Sequence, residues 1–257
     1  MIETSQGDTY ILSFGKKDPK PLILLHGSAG NSMIWIYNAL DLAKSFQVYA
    51  IDIIGEAGKS SGNRPSLSSN AYQDWLNEIF EKLNLEKANV CGASFGGALA
   101  HRFAISYPHR IESLILLAPA NLYKIQKMFI FKGIMANMIP TKSSAISFLN
   151  YMSAAGSYLT NSDIQDFIIQ FRAYRPNKDV ILTKICSDAE LRNLPEKTLI
   201  LLGDKEVLYN PIQAKHRVDK FSKSAVVQII KGSKHTVSVD QPKVFYNEIV
   251  NFIYGTK

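Results

Sequence analysis

The stretch NVCGASFGGALAHRFAI, Asn89–Ile105, joins two kinds of local structure through a glycine turn. Its opening residues are short and apolar, as a buried strand requires, and from Gly97 onward small and apolar residues continue for the length of a helix. Between them stands Gly92-Ala93-Ser94-Phe95-Gly96. A serine held in a sharp strand-to-helix turn needs glycine at the flanking positions, where side chains would collide with the neighbouring strand and helix. The same turn places the first N–H groups of the helix, and the positive end of its dipole, beside any negative charge developing near the serine. The bare Gly-x-Ser-x-Gly pattern arises often by chance; the strand before it and the helix after it give it weight.

Working outward, short runs rich in Leu, Ile and Val recur on both sides: Pro21-LILLHG, Phe46-QVYAIDI, Ala88-NVCGAS, Ser113-LILLAP, Lys197-TLILLGD and Ala225-VVQIIKG. They are continuous in apolar character rather than alternating, so each is expected to be buried on both faces of a parallel sheet. Tyr10-ILSF is expected to add an antiparallel strand ahead of them. Helix-length segments lie between, at Asn31–Lys44, Asn70–Leu83, Phe95–Tyr107, Pro211–Phe221 and Pro242–Ile253. Asp240 with Pro242 reads as the start of the last helix, a side-chain acceptor followed by a proline in the first turn. Alternating strands and helices predict an α/β fold with a doubly wound, mostly parallel sheet and right-handed crossovers.

One interval breaks the rhythm. From Ala120 to about Lys178 there is no clear strand, but there are nine aromatic residues and four of the six methionines. A structureless loop of that length is improbable inside a compact domain. A helical lid over 120–178 is expected, inserted into a core formed by 1–119 and 179–257. This segment carries seven Lys and Arg against Asp163 and Asp166, a local charge of +5. If that charge faces a pocket mouth, it should favour acidic substrates.

The bulk composition sets bounds. With 257 residues, 46% hydrophobic and 20% charged, the chain is neither disordered nor repetitive, and it can bury roughly three quarters of its unfolded surface. Cys91 and Cys186 belong to no Cys-x-x-Cys or Cys/His cluster and read as reduced, buried thiols. The net charge of +7 is scattered, with no basic run or stripe, which argues against nucleic acid. The longest apolar segment, Met128–Pro140, is interrupted by Lys132 and Asn137 and is too short to span a membrane. The N-terminus shows no basic and apolar signal pattern, so a cytoplasmic location is expected.

The His26-Gly27 turn after the first core strand, Asp52-IIGEAGKS, the Ser94 turn, the inserted segment, an acid after a late strand and a histidine near the C-terminus together resemble the α/β-hydrolase superfamily. The resemblance is to its lid-bearing serine hydrolases, which include carboxylesterases and carbon–carbon bond hydrolases, and it spans essentially the whole chain. It implies Ser94 as nucleophile, with the backbone amides of Ser28 and Phe95 as oxyanion donors. His26, before the glycine, suits a backbone-supporting role. Of the other histidines, His101 and His216 lie within helices and His109 at the far end of the helix Ser94 opens. His235, in a loop directly after the last apolar strand, stands where the order Ser, acid, His places the base. The family usually has Gly before this histidine; here Lys234 puts a cation near the base. The family pattern sets the acid three residues after the glycine that ends the strand, which is Glu206 in place of the more usual Asp, with Asp204 as the alternative.

Two other motifs fail. Gly58-Lys59-Ser60 resembles the end of a phosphate loop, but the position that must be glycine is Ile53. No two histidines have metal-ligand spacing, so neither a metal nor another cofactor is implied. The expected activity is hydrolysis of a small carboxylic ester through an acyl-enzyme on Ser94. Its rivals are a carbon–carbon bond hydrolase or lactonase using the same residues, a non-catalytic binder of a small ligand, and a protein-partner scaffold.

Overall fold

The computed structural model describes residues 1–16, 20–138, 141–154, 160–174 and 183–255. Among these residues, seven strands form one sheet: β1 (Ile11–Gly15), β2 (Pro21–Leu25), β3 (Gln47–Ile51), β4 (Ala88–Ala93), β5 (Ile111–Leu117), β6 (Thr198–Gly203) and β7 (Val226–Ile230). Their order is β1-β3-β2-β4-β5-β6-β7. Only β1 runs antiparallel, pairing Ile11 with Ile51 and Gly15 with Gln47. The remaining neighbours are parallel, so the expected doubly wound sheet is present.

Side chains alternate across each strand, and the two faces fill separate cores. Ile23, Val90, Leu114, Leu116, Ile200 and Leu202 meet one set of helices. That set is α2 (Ala71–Lys82), which contributes Trp75, Ile79 and Phe80, α3 (Phe95–Ser106), and α8 (Pro211–Phe221). Leu22, Leu24, Cys91, Ile115, Leu117 and Leu201 point the other way, toward α1 (Ile36–Ser45) and α10 (Pro242–Tyr254), which supplies Phe245, Ile249 and Ile253. The first predicted helix is divided. Asn31 accepts from the Met33 N–H and starts a 3-10 turn over Ser32–Trp35 before α1 begins. Both cysteines are buried free thiols.

Between β5 and β6 lie α4 (Lys127–Met138), α5 (Lys142–Met152) and α6 (Asn161–Ala173), followed by the short α7 (Asp188–Arg192). The first three share a small apolar cluster of their own, Ala136, Ala145 and Ile168 with Phe148, Ile164 and Phe167 around it. Ala120 and Leu122, just before α4, still belong to the main core. A short helix, α9 (Val237–Asp240), precedes α10.

Candidate active site

Ser94 stands alone between β4 and α3 with φ 51° and ψ −111°, a conformation that non-glycine residues adopt only when their surroundings enforce it. The enforcement is visible. The Ser94 N–H donates to the Leu117 carbonyl at 2.8 Å, and the Ser94 carbonyl accepts from the N–H groups of Ala98 and Ala120 at 3.0 and 2.9 Å. The flanking glycines allow the crowding: a Cβ on Gly92 would fall 2.3 Å from the Gly96 carbonyl oxygen, and one on Gly96 would fall 2.4 Å from the carbonyl oxygens of Leu25 and His26.

The turn after β2 abuts this serine, since a Cβ on Gly27 would stand 3.4 Å from Ser94 Cβ. His26 is wholly buried, and both ring nitrogens are committed. Its Nε2 accepts from the Ile53 N–H at 2.9 Å, which fixes Nδ1 as the donor to the Gly27 carbonyl at 2.7 Å. Burial lowers its pKa, so it stays a neutral brace of the turn. Among the described residues, the N–H groups of Ser28 and Phe95 make no hydrogen bond to protein. A residue the sequence did not single out holds the turn's outer edge. Glu56 Oε2 accepts from the N–H of Ala29, itself at φ 60°, at 2.6 Å, and from Ser28 Oγ at 3.3 Å. Ser28 Oγ is also 2.7 Å from the hydroxyl of Tyr174, just beyond α6. Desolvation pushes the Glu56 carboxyl up to about 7.

At the end of β6 the two candidate acids part. Asp204 accepts from the N–H groups of Gly232 and Ser233 at 2.9 and 3.2 Å and so closes the turn after β7. Glu206, with no exposed side-chain surface, accepts through Oε1 from His235 Nδ1 at 2.8 Å and from the N–H groups of Val207 and Leu208 at 2.8 and 2.7 Å. Burial alone would lower the pKa of His235, but the charge and hydrogen bond of Glu206 outweigh it and hold the imidazole above its ordinary 6.5. The His235 ring meets Phe129 of α4 edge to face with centroids 5.9 Å apart, and the main-chain N–H of His235 donates to the Met152 carbonyl of α5 at 2.9 Å.

Asp240 does something other than start α10. Gln241 occupies the cap position without a side-chain bond, and the buried Asp240 carboxylate turns instead toward the His235 loop. Its Oδ1 accepts from Ser153 Oγ (2.6 Å), the Ala154 N–H (2.9 Å) and Thr236 Oγ1 (3.0 Å). Its Oδ2 accepts from the Lys234 N–H (2.7 Å) and Ser233 Oγ (3.2 Å). One carboxylate thereby ties the His235 loop to the end of α5. Lys234 directs its ammonium group to the Asn150 carbonyl, on the surface of α5.

A cavity of about 950 Å³ opens over Ser94 and His235. Gly27, Ser28 and Phe95 reach it from the sheet, and Ile125, Phe129, Ile130, Phe148, Met152 and Phe167 from the inserted segment. Among the described residues, Asp166 and His235 are the ionisable side chains in its wall besides tyrosines, and neither Lys nor Arg lines it. The described basic residues of the inserted segment therefore do not line the cavity; Arg175 and Lys178 lie outside the described residues. Lys124, Lys127, Lys142 and Arg172 are exposed, and Lys132 lies over the Tyr151 ring at 5.0 Å.

The unused motifs have structural roles. His101 is buried beside Asn121, its Nδ1 at 2.8 Å from the amide nitrogen, and burial depresses it to about 4. Gly58-Lys59-Ser60 wraps the Asp52 carboxylate, which accepts from the N–H groups of Ser32 and Lys59 at 2.7 and 2.8 Å. No group of potential metal ligands occurs among the described residues.

Comparison with known proteins agrees with this architecture. Residues 20–136 match the family described as alpha/beta hydrolase fold. An uncharacterized carboxylesterase, nap, of Bacillus subtilis is 30% identical over 98% of this chain and 85% of its own length. The crystal structure of a naproxen esterase from that organism superposes with a TM-score of 0.85, covering 98% of this chain and 89% of the other. Carboxylesterase YbfK, also from B. subtilis, is 26% identical over 99% of this chain and 87% of its own length. A 2-hydroxy-6-oxo-6-phenylhexa-2,4-dienoate hydrolase from Rhodococcus sp. strain RHA1, 16% identical with a TM-score of 0.77 over 96% of this chain and 94% of the other, shares the fold. A parallel sheet with one antiparallel edge, a strained serine after β4, a carboxylate–histidine pair after β6 and β7, and a 30% identical carboxylesterase along nearly its full length place this chain in the α/β-hydrolase superfamily, among hydrolases of carboxylesterase type.

Proposed function

We propose that the chain is a serine carboxylesterase acting on neutral, largely apolar esters, with Ser94, Glu206 and His235 as its catalytic residues. The observation that carries the reading is the buried 2.8 Å contact between Glu206 Oε1 and His235 Nδ1 beneath a cavity that both His235 and the strained Ser94 line. Glu206 fixes the imidazole with Nδ1 protonated, which leaves Nε2 free to take the Ser94 proton as Oγ attacks the ester carbonyl. The tetrahedral oxyanion lies against the Ser28 and Phe95 amides, at a helix N-terminus, where fixed donors stabilise charge without reorganising. His235 then protonates the leaving alcohol, and water clears the acyl-enzyme by the same steps in reverse.

The cavity wall favours this chemistry over carbon–carbon bond hydrolysis of an anionic substrate. A carboxylate entering the apolar chamber would lose its hydration, and no cation among the described lining residues replaces it. Phe129, Ile130, Phe148 and Met152 instead offer apolar surface to an acyl or alcohol group, and helices α4–α6 act as a lid over it. At about 950 Å³ the chamber is at the upper end of typical small-molecule sites, so bulky groups fit. The test is a series of p-nitrophenyl acyl esters of graded chain length. A burst of nitrophenol, a rate maximum beyond acetate, and Ser94 labelling by a fluorophosphonate are expected. Silence toward the whole series with turnover of a dienoate would transfer the reading to carbon–carbon cleavage.

A further inference from the structure

The lid helix α4 is apolar on the wrong side. At 100° per residue, Phe129, Ile130, Gly133 and Ala136 form its inner arc, and they face the cavity or the cluster shared with α5 and α6. The opposite arc should be polar on a helix that faces water. It instead carries Met128, Phe131, Ile134, Met135 and Met138, exposed by 53, 59, 45, 40 and 73%. Large residues in an unbroken stripe differ from the scattered exposed apolar side chains of ordinary surfaces.

Two further observations say what covers the stripe. The first is charge. Between Glu112 and Asp163 the chain has no acidic residue, and it has Lys124, Lys127, Lys132 and Lys142. Lys127 lies on the same arc as the stripe, Lys132 flanks it, and Lys142 opens the next helix. The second is continuity with the cavity. Ile134 and Met138 of this arc are at once exposed and cavity-lining, as are Ile169 of α6 and Met33 and Ile36 across the opening. The mouth is therefore rimmed by apolar residues, with Asp166 the carboxylate among them.

We propose that the outer face of α4 docks the protein onto an anionic lipid surface, with Phe131 and its neighbours entering the acyl boundary and the lysines meeting the headgroups. An apolar stripe joined to basic residues is the composition of a helix that lies in an interface. No described helix is long and apolar enough to cross a bilayer, so the attachment is peripheral and reversible. The orientation sets the cavity mouth against the lipid, so that an apolar molecule passes from one apolar phase to the other without crossing water. Docking itself is independent of the reaction at Ser94.

Co-sedimentation with phosphatidylcholine vesicles, with and without phosphatidylglycerol, tests this. The protein is expected to pellet with the anionic vesicles and to be released as salt rises. Phe131→Asp and Met135→Asp, at positions outside the cavity wall, are expected to weaken that binding by about tenfold or more each. Their unfolding midpoints should stay unchanged. Failure to bind either vesicle, or binding indifferent to phosphatidylglycerol or to Phe131→Asp, overturns the proposal. So does a dimer in sedimentation equilibrium that Phe131→Asp dissociates, because a second copy then covers the stripe. Loss of esterase activity in every assay would leave the vesicle result standing, so the two readings fail separately.

Discussion

On the sheet side, the groups at and behind the cavity floor are set by short hydrogen bonds: the Ser94 main chain by Leu117, Ala98 and Ala120, the His26 ring by Gly27 and Ile53, and Glu206 Oε1 by Val207, Leu208 and His235. The inserted helices bound the same cavity with Phe, Ile, Leu and Met, and they touch the polar site at a few points: Met152 to His235, Ser153 and Ala154 to Asp240, Tyr174 to Ser28. Hydrogen bonds impose one geometry, whereas apolar contact imposes only volume. Under the proposed mechanism, the contrast means that the sheet side determines whether a reaction occurs and the helical side which molecule is admitted.

That division is open to being broken by substitution. The largest effect is expected at Ser94. Ser94→Ala should lower turnover by about 10⁴-fold or more with the unfolding midpoint little changed, as measured with the preferred p-nitrophenyl ester. Next comes the acid. Glu206→Gln presents an amide that favours the wrong imidazole tautomer and should cost about 10³- to 10⁴-fold in turnover, whereas Asp204→Asn should cost little beyond a weakened turn. The pH profile sharpens the comparison. His235 must be neutral to act as base, so the acidic limb of kcat/KM is expected above 6.5 in the wild type. In Glu206→Gln the raising partner is gone, burial remains, and the limb should move below that value.

Asp240 joins the two regions, so its variant should fall between them. Asp240→Asn strips part of the acceptor capacity from a carboxylate that receives at least five hydrogen bonds, five of them from described residues. About 2–3 kcal/mol of stability should be lost in denaturant titration, with turnover reduced far less than in Glu206→Gln. The smallest effect belongs to Glu56. Its pKa is raised from an ordinary 4.5 to about 7, so the charged form is disfavoured in the folded state. Its contribution to stability is full below the unfolded value and declines as pH rises through the folded one. The stability of the wild type relative to Glu56→Gln should therefore fall between pH 5 and pH 8, by about 2 kcal/mol or less, as compared by urea midpoints at the two pH values.

The sheet and the Ser94 turn were legible in the sequence because their determinants are local: apolar runs of strand length, and glycines within two residues of the serine. The choice between Asp204 and Glu206 was not legible from spacing. Two residues apart on a strand they would point alike, but the chain leaves β6 in a turn, with the Glu206 N–H bonded to the Gly203 carbonyl at 3.2 Å, and alternation no longer applies. Asp240 escaped for another reason. Its neighbourhood, Asp240-Gln241-Pro242, carries an ordinary helix-start pattern, while its partners Ser153 and Ala154 lie 87 and 86 residues away. Glu56 had no local signal at all, since its role exists only once β2 and β3 bring their following turns together. The basic charge of 120–178 was visible as composition, but which way Lys127, Lys132 and Lys142 face depends on the helical arc each occupies.

The bond from the His235 N–H to the Met152 carbonyl joins main chain to main chain. Such a bond does not depend on which side chain residue 152 carries, although that side chain lines the cavity. Position 152 can therefore be varied in a substrate-profile library, or drift during divergence, while the tether to the histidine persists. Under the proposed mechanism, selectivity and chemical competence are separately mutable at this point of contact, which makes residue 152 a rational first site for retargeting the enzyme.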